Sequence, residues 1–81
     1  MTPDTVLAHL AAVLDEVVPG ADLGRVDPRA RFREELDLDS MDFLRMVQGL
    51  HARTGVDVPE ADYGQVTTLD DLVAYVARRA A

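Results

Sequence analysis

Three stretches of this chain repeat apolar residues at the spacing of an α-helix, and no stretch alternates them as a strand requires. In the first, Val6, Leu7, Leu10, Val13, Leu14 and Val17 recur at intervals of three and four. Thr2 predicts the N-cap, Pro3 suits the first helical position because it lacks an N–H, and Asp4 complements the helix dipole. Pro19-Gly20 ends the pattern, so a helix over 3–18 is expected. The second stretch places Met41, Phe43, Leu44, Val47 and Leu50 on one broad face. Asp39 is its expected N-cap, Asp42 supplies the acidic half of a capping box, and Gly55 closes it, giving a helix over 40–54. Gly49 inside this helix costs about 1 kcal/mol relative to alanine, which marks a close helix approach. The third runs over 69–79 with Leu69, Leu72, Val73 and Val76 as its buried stripe. Thr68 caps it, Asp71 stands at the capping-box position, and Arg78 and Arg79 lie at the favourable end of the dipole. Pro59 starts a short helical turn over 60–64. The expected fold is all-α, a small four-helix bundle of three main helices and one short one, in a single domain spanning 1–81.

Between the first two helices lies a long connection, residues 19–39, expected to be without regular structure. Loops of that length in a compact domain are usually functional. Its isolated apolar residues, Leu23, Val26, Phe32, Leu36 and Leu38, are placed to pin it to the core. Charge is segregated within it. Arg25, Arg29, Arg31 and Arg33 come first, and Glu34, Glu35, Asp37, Asp39 and Asp42 follow with no base between them. Local pairing on a solvated surface is the expected fate of the arginines.

Charge and composition then narrow the function. With 81 residues and 15 acids against 8 bases, the chain has one small core and a net charge of −7. Phosphate-backbone binding needs cations to displace counterions, so nucleic acid is excluded and basic protein partners are favoured. The absence of cysteine removes disulfides, thiolate zinc sites and thiol nucleophiles. No apolar run approaches the roughly 20 residues of a membrane span, and Met1 is not followed by a signal-peptide pattern, so a cytoplasmic location is expected. His9 and His51 read as surface or capping residues, and nothing near either supplies a metal set. Asp37-Leu-Asp39 fails as a calcium loop, since the sixth position is Asp42 rather than glycine and the twelfth is Gln48 rather than glutamate.

Ser40 is the informative residue. It stands just after the expected N-cap, in the first turn of a helix and at the end of a long loop. Open backbone N–H groups and the positive end of the dipole stabilise phosphate at such a place. A hydrolase built on Ser40 is disfavoured, because no base can be assigned to it and no strand-turn elbow precedes it. On its own, Asp-Ser-Met is also compatible with an ordinary helix start.

The ordered set Phe32-Arg-Glu-Glu-Leu-Asp-Leu-Asp-Ser-Met-Asp-Phe-Leu44, Thr54-Gly-Val-Asp-Val-Pro59 and Thr67-Thr-Leu-Asp-Asp-Leu-Val-Ala-Tyr-Val76 resembles the acyl carrier protein family over nearly the whole chain, without a gap. The resemblance implies a non-catalytic, freestanding, monomeric carrier. Ser40 would receive 4′-phosphopantetheine from coenzyme A, and the terminal thiol of that arm would hold acyl groups as thioesters. Asp39 and Met41 match the flanking motif read by the phosphopantetheinyl transferase, Leu44 matches an apolar position on the recognition helix, and Glu35, Asp37 and Asp42 complete the expected recognition set. The partners implied are that transferase, an acyl-loading ligase, and acyl-transfer or condensing enzymes of fatty acid, polyketide or specialised metabolite synthesis. Residues 40–54 depart from the family pattern. They hold one acid, Asp42, against Arg45 and Arg53, where carriers of dissociated fatty acid synthesis show several acids. Asp37 replaces a common glycine, and Thr54 stands where a large residue is common, with Tyr63 a candidate to compensate. An aminoacyl or peptidyl carrier, a carrier-like interaction module that is never modified, and an acidic regulator of a basic protein are the alternative readings.

Overall fold

The computed structural model describes residues 1–80. Helix α1 (Pro3–Val17) is capped by Thr2, whose hydroxyl accepts the Thr5 N–H at 3.2 Å. The chain leaves it at Val18, one residue earlier than expected, where Val18 N–H donates to the Leu14 carbonyl and Gly20 turns the backbone at φ 89°. Helix α3 (Ser40–Thr54) begins at Asp39 and ends at Gly55, whose φ of 76° lies in the left-handed region that glycine enters without a Cβ clash. Helix α4 (Leu69–Arg79) starts from Thr68, whose hydroxyl accepts the Asp71 N–H at 3.1 Å. The main helices therefore fall where local capping chemistry placed them.

The connecting segments are more structured than their sequence suggests. Residues 19–39 contain a 3-10 turn at Leu23–Arg25 and the single-turn helix α2 (Phe32–Glu35), so this segment is not without regular structure. The first is held by the Asp22 carboxylate, which accepts the Gly24 N–H at 2.9 Å. The second is set by a tertiary stitch: Phe32 N–H donates to the Thr67 carbonyl, and Arg31 and Thr68 form an isolated antiparallel bridge. Asp70 N–H also donates to the Pro28 carbonyl at 3.0 Å. The short helix expected over 60–64 is a 3-10 helix, Glu60–Gln65. No strand occurs among the described residues.

The core gathers the apolar faces of α1, α3 and α4, with α1 packed against both of the others. Val6, Leu10, Val13 and Leu14 meet Phe43, Met46, Val47 and Leu50 from α3 and Leu72, Tyr75 and Val76 from α4. Val26, Phe32 and Leu38 pin the long connection to this core, with Leu23 and Leu36 half-buried beside them. Gly49 marks a close approach of α1 and α3, because a Cβ there would stand 2.7 Å from Val13 Cγ1. Two residues of the predicted α3 face turn out differently: Met41 and Leu44 are 58% and 40% exposed, and Met46 fills the core instead. The periodicity locates the face, but its buried width is set by what packs on it, and nothing covers Met41 and Leu44.

Tyr75 joins the core with its hydroxyl at the edge, donating to Asp62 Oδ2 at 2.6 Å. Arg79 reaches the same oxygen at 3.3 Å and lies over the Tyr75 ring, 4.2 Å from its centroid. Asp62 thereby fastens the 3-10 helix to α4. Burial, with the hydrogen bond to Asp62 adding to it, pushes the Tyr75 phenol above its ordinary value of 10.0.

Candidate functional site

Ser40 occupies the first position of α3 and is exposed. The turn that presents it is tightly defined. Asp39 Oδ1 accepts the Asp42 N–H at 2.8 Å, and Asp42 Oδ2 accepts the Asp39 N–H at 3.4 Å, so the expected capping box is present. Phe43 N–H donates to the Asp39 carbonyl. The Ser40 and Met41 N–H groups have no acceptor among the described residues, which leaves two donors open beside the hydroxyl. Ahead of the cap, Leu38 is buried and Asp37 adopts φ 54°, the one non-glycine residue in the left-handed region among those described. That conformation explains why glycine suits this position, and aspartate is among the few side chains that tolerate it. Leu38 anchors the turn, Asp37 bends the chain into it, and Asp39 starts the helix.

These features fit a tethered phosphodiester. The hydroxyl is accessible, the nearby N–H groups and the helix dipole favour negative charge, and no bulky neighbour has to move. One oxygen of each carboxylate, Asp39 Oδ1 and Asp42 Oδ2, is engaged in the cap.

Of the expected recognition residues, Asp39, Met41, Asp42 and Leu44 are brought together around Ser40 at one end of α3, where Met41 and Leu44 form an exposed apolar pair. Asp37 and Glu35 part company. Asp37 borders a half-open cleft of about 530 Å³ between the long connection and the 3-10 helix. Glu35 borders a second groove of about 590 Å³ against residues 18–26. The remainder of α3 continues its exposed face with Arg45, Gln48 and His51, and His9 is half-buried on α1.

The first cleft is walled by side chains from distant parts of the chain. Phe43 and Tyr63 meet edge to face at 4.9 Å between ring centroids, and Arg33 lies over Phe43 at 4.6 Å. Tyr63 is thus fixed by Phe43. Thr54 meanwhile turns inward along its own helix, its hydroxyl donating to the Leu50 carbonyl and accepting the Val56 N–H. A contact between side chains twenty residues apart leaves no local signal in the sequence. Arg25 and Arg31 pair locally as expected, with Asp22 and Glu34, at 3.6 and 3.7 Å. No helix among the described residues is long and apolar enough to cross a membrane.

Comparison with known proteins bears on the chain as a whole. Residues 4–76 match the family model for the phosphopantetheine attachment site. An acyl carrier protein of Rubrobacter xylanophilus is 35% identical over 57 residues, covering 70% of each chain. The meromycolate extension acyl carrier protein of Mycolicibacterium smegmatis is 30% identical over 77 residues, 95% of this chain and 77% of its own length. An acyl carrier protein of Helicobacter hepaticus is 30% identical over 73 residues, 90% and 93% of the two chains. A helical bundle with a serine at a capped helix start, matched by the family model over residues 4–76 and by these relatives over 70–95% of its length, belongs to the acyl carrier protein family, whose attachment site holds 4′-phosphopantetheine covalently.

Proposed function

We propose that Ser40 is the attachment residue and that the chain is a non-catalytic carrier acting as a monomer. The observation that carries this reading is the exposed hydroxyl at the first position of a helix whose cap is already satisfied. The arm supplies a thiol, which this chain otherwise lacks, for holding acyl groups as thioesters. Every other part of the task falls to the protein's own residues. The capping box holds the Ser40 turn rigid, so the phosphopantetheinyl transferase meets a preformed substrate. Asp39 and Met41 are read by that enzyme, with Leu44 offering an apolar contact one turn on. Glu35, Asp37, Asp39 and Asp42 steer cationic partner surfaces toward the serine, an effect that weakens as salt rises.

The partners proposed are the transferase, an acyl-loading ligase, and acyl-transfer or condensing enzymes of fatty acid, polyketide or specialised metabolite synthesis. The depletion of acids beyond Asp42, with Arg45 and Arg53 in their place, restricts acidic steering to the serine end of α3. Tethering raises the cargo's concentration at each active site without requiring tight docking.

Intact-mass measurement after incubation with coenzyme A and a promiscuous phosphopantetheinyl transferase tests the assignment. The wild-type chain gains one 4′-phosphopantetheinyl group, and Ser40→Ala gains none while changing stability by less than about 0.5 kcal/mol, as expected of an exposed side chain. A Ser40→Ala chain that still gains the arm refutes the assignment.

A further inference from the structure

With no cysteine in the chain, all of its sulfur is thioether, in Met1, Met41 and Met46. The fold treats the two methionines of α3 oppositely. Met46 is 0% exposed within the core, out of reach of a dissolved oxidant, whereas Met41 is 58% exposed. Met1 and Leu44, the other exposed large apolar side chains, stand at 39% and 40%. Met41 follows Ser40 directly in the first turn of α3, on a backbone held by the reciprocal bonds between Asp39 and Asp42. Its side chain gives the core nothing. Paired with Leu44, it is a flexible, polarizable surface of the kind that adapts to an apolar pocket on a partner.

Oxidation changes that surface in kind. The thioether sulfur attacks one oxygen of hydrogen peroxide, the O–O bond breaks, and the sulfoxide forms as water leaves; the sulfur gives up two electrons and the peroxide accepts them. The fold does not oppose this step at Met41, because an exposed side chain has no packing to lose. The product places a strong hydrogen-bond acceptor on a side chain that an apolar pocket has to desolvate. Burying such a group without a donor weakens binding about tenfold.

We propose that Met41 is a reversible oxidation site that controls the loading of Ser40: a hydroperoxide converts its thioether to the sulfoxide, and the phosphopantetheinyl transferase then engages the turn poorly. The proposal rests on Ser40 as the anchor and on Met41 as a side chain that the transferase covers. Methionine sulfoxide reductases restore the thioether, a dithiol supplying the two electrons as it closes to a disulfide and the oxygen leaving as water. Loading would thereby follow the oxidant level.

The positions of the arginines make the test direct. Cleavage after Arg25, Arg33, Arg45 and Arg53 leaves Ser40 and Met41 together in peptide 34–45, Met46 in 46–53 and Met1 in 1–25. The unloaded chain is treated with hydrogen peroxide until the oxidised and unoxidised forms of peptide 34–45 are equally abundant, and the peroxide is then destroyed with catalase. The mixture competes for a promiscuous phosphopantetheinyl transferase and limiting coenzyme A, and peptide masses report oxygen and arm together. Met46 should carry no oxygen, and among the first loaded peptides the sulfoxide form should be under-represented about tenfold. Sulfoxide reductases with dithiothreitol should restore equal loading. Met41→Leu should load at one rate before and after peroxide, which separates Met41 from Met1. Met41→Gln, with a polar amide in place of the thioether, should load about tenfold more slowly than Met41→Leu without any oxidant. The oxidised and unoxidised chains should melt together, since the fold makes no use of this side chain. Equal loading of the two forms, oxidation of Met46 alongside Met41, a lower melting temperature after oxidation, or a loss that persists in Met41→Leu overturns the proposal and leaves the anchor standing. If neither form gains the arm, the anchor falls and the oxidation control falls with it.

Discussion

Asp39 has two jobs in the proposed site, and two substitutions separate them. Its Oδ1 accepts the Asp42 N–H at 2.8 Å, a full-strength cap bond, whereas the reciprocal bond from Asp39 N–H to Asp42 is at the long limit, 3.4 Å. The Asp39 side chain therefore accounts for most of the box. Asp39→Ala removes it and costs about 1 kcal/mol, the usual loss at an N-cap. In a domain of this size that lowers the Tm by about 4–8 °C. Asp39→Asn keeps an amide oxygen in the same place, and asparagine caps as well as aspartate, so its stability should return to within a few tenths of a kcal/mol of wild type. The negative charge, however, is gone. A unit charge about 4 Å from a partner's cation across a solvated contact contributes about 1 kcal/mol. Loading by the transferase should fall about fivefold in kcat/KM for Asp39→Asn, with the gap from wild type closing as salt rises. Thermal unfolding by circular dichroism and loading kinetics on the same three proteins supply both readings. An Asp39→Asn protein that melts with Asp39→Ala refutes the capping argument, and one that loads at the wild-type rate in low salt refutes the charge argument.

Two further outcomes test the frame that holds the site. Gly49→Ala gains about 1 kcal/mol of helix propensity but drives a methyl into Val13, an overpacking cost of about 1–3 kcal/mol, so urea denaturation should show a net loss of about 1 kcal/mol. In a Val13→Ala background, where the obstructing methyls are absent, the same change should become neutral or stabilising. Tyr75→Phe removes the donor to Asp62 and should cost about 1–2 kcal/mol. Because the folded phenol titrates above its unfolded value of 10.0, the unfolded chain loses this proton first as pH rises. The Tyr75 contribution is thus complete below pH 10 and is lost as pH climbs through the folded value, so Tyr75→Phe should flatten the alkaline limb of the stability profile.

The parts of this molecule legible in its sequence are those determined within a few residues. Thr2, Asp39 and Thr68 accept N–H groups three residues on, and Gly55 ends α3 where its φ must be positive, so these boundaries could be placed from local chemistry. Gly49 was legible for the same reason, as a helix residue too small for its place unless a neighbour required it. Ser40 and its acidic flank were legible through their order along the chain. What could not be read depends on distant partners. Helix α2 forms where Phe32 meets Thr67, the Tyr75 hydroxyl finds Asp62, and Arg33 lies over Phe43, none of which a spacing rule encodes. Met41 and Leu44 satisfy the helical period as well as core residues do, and only the absence of a neighbour leaves them exposed.

The stitches from Pro28 and Phe32 to Asp70 and Thr67 also impose an order in time. A ribosome delivers the serine turn long before the residues that brace the loop behind it. Until the start of α4 has emerged, the segment leading into Ser40 has its local cap but no backing. The loop behind the turn is braced only once residues 67–70 have been made, so the start of α4 must precede the finished loop.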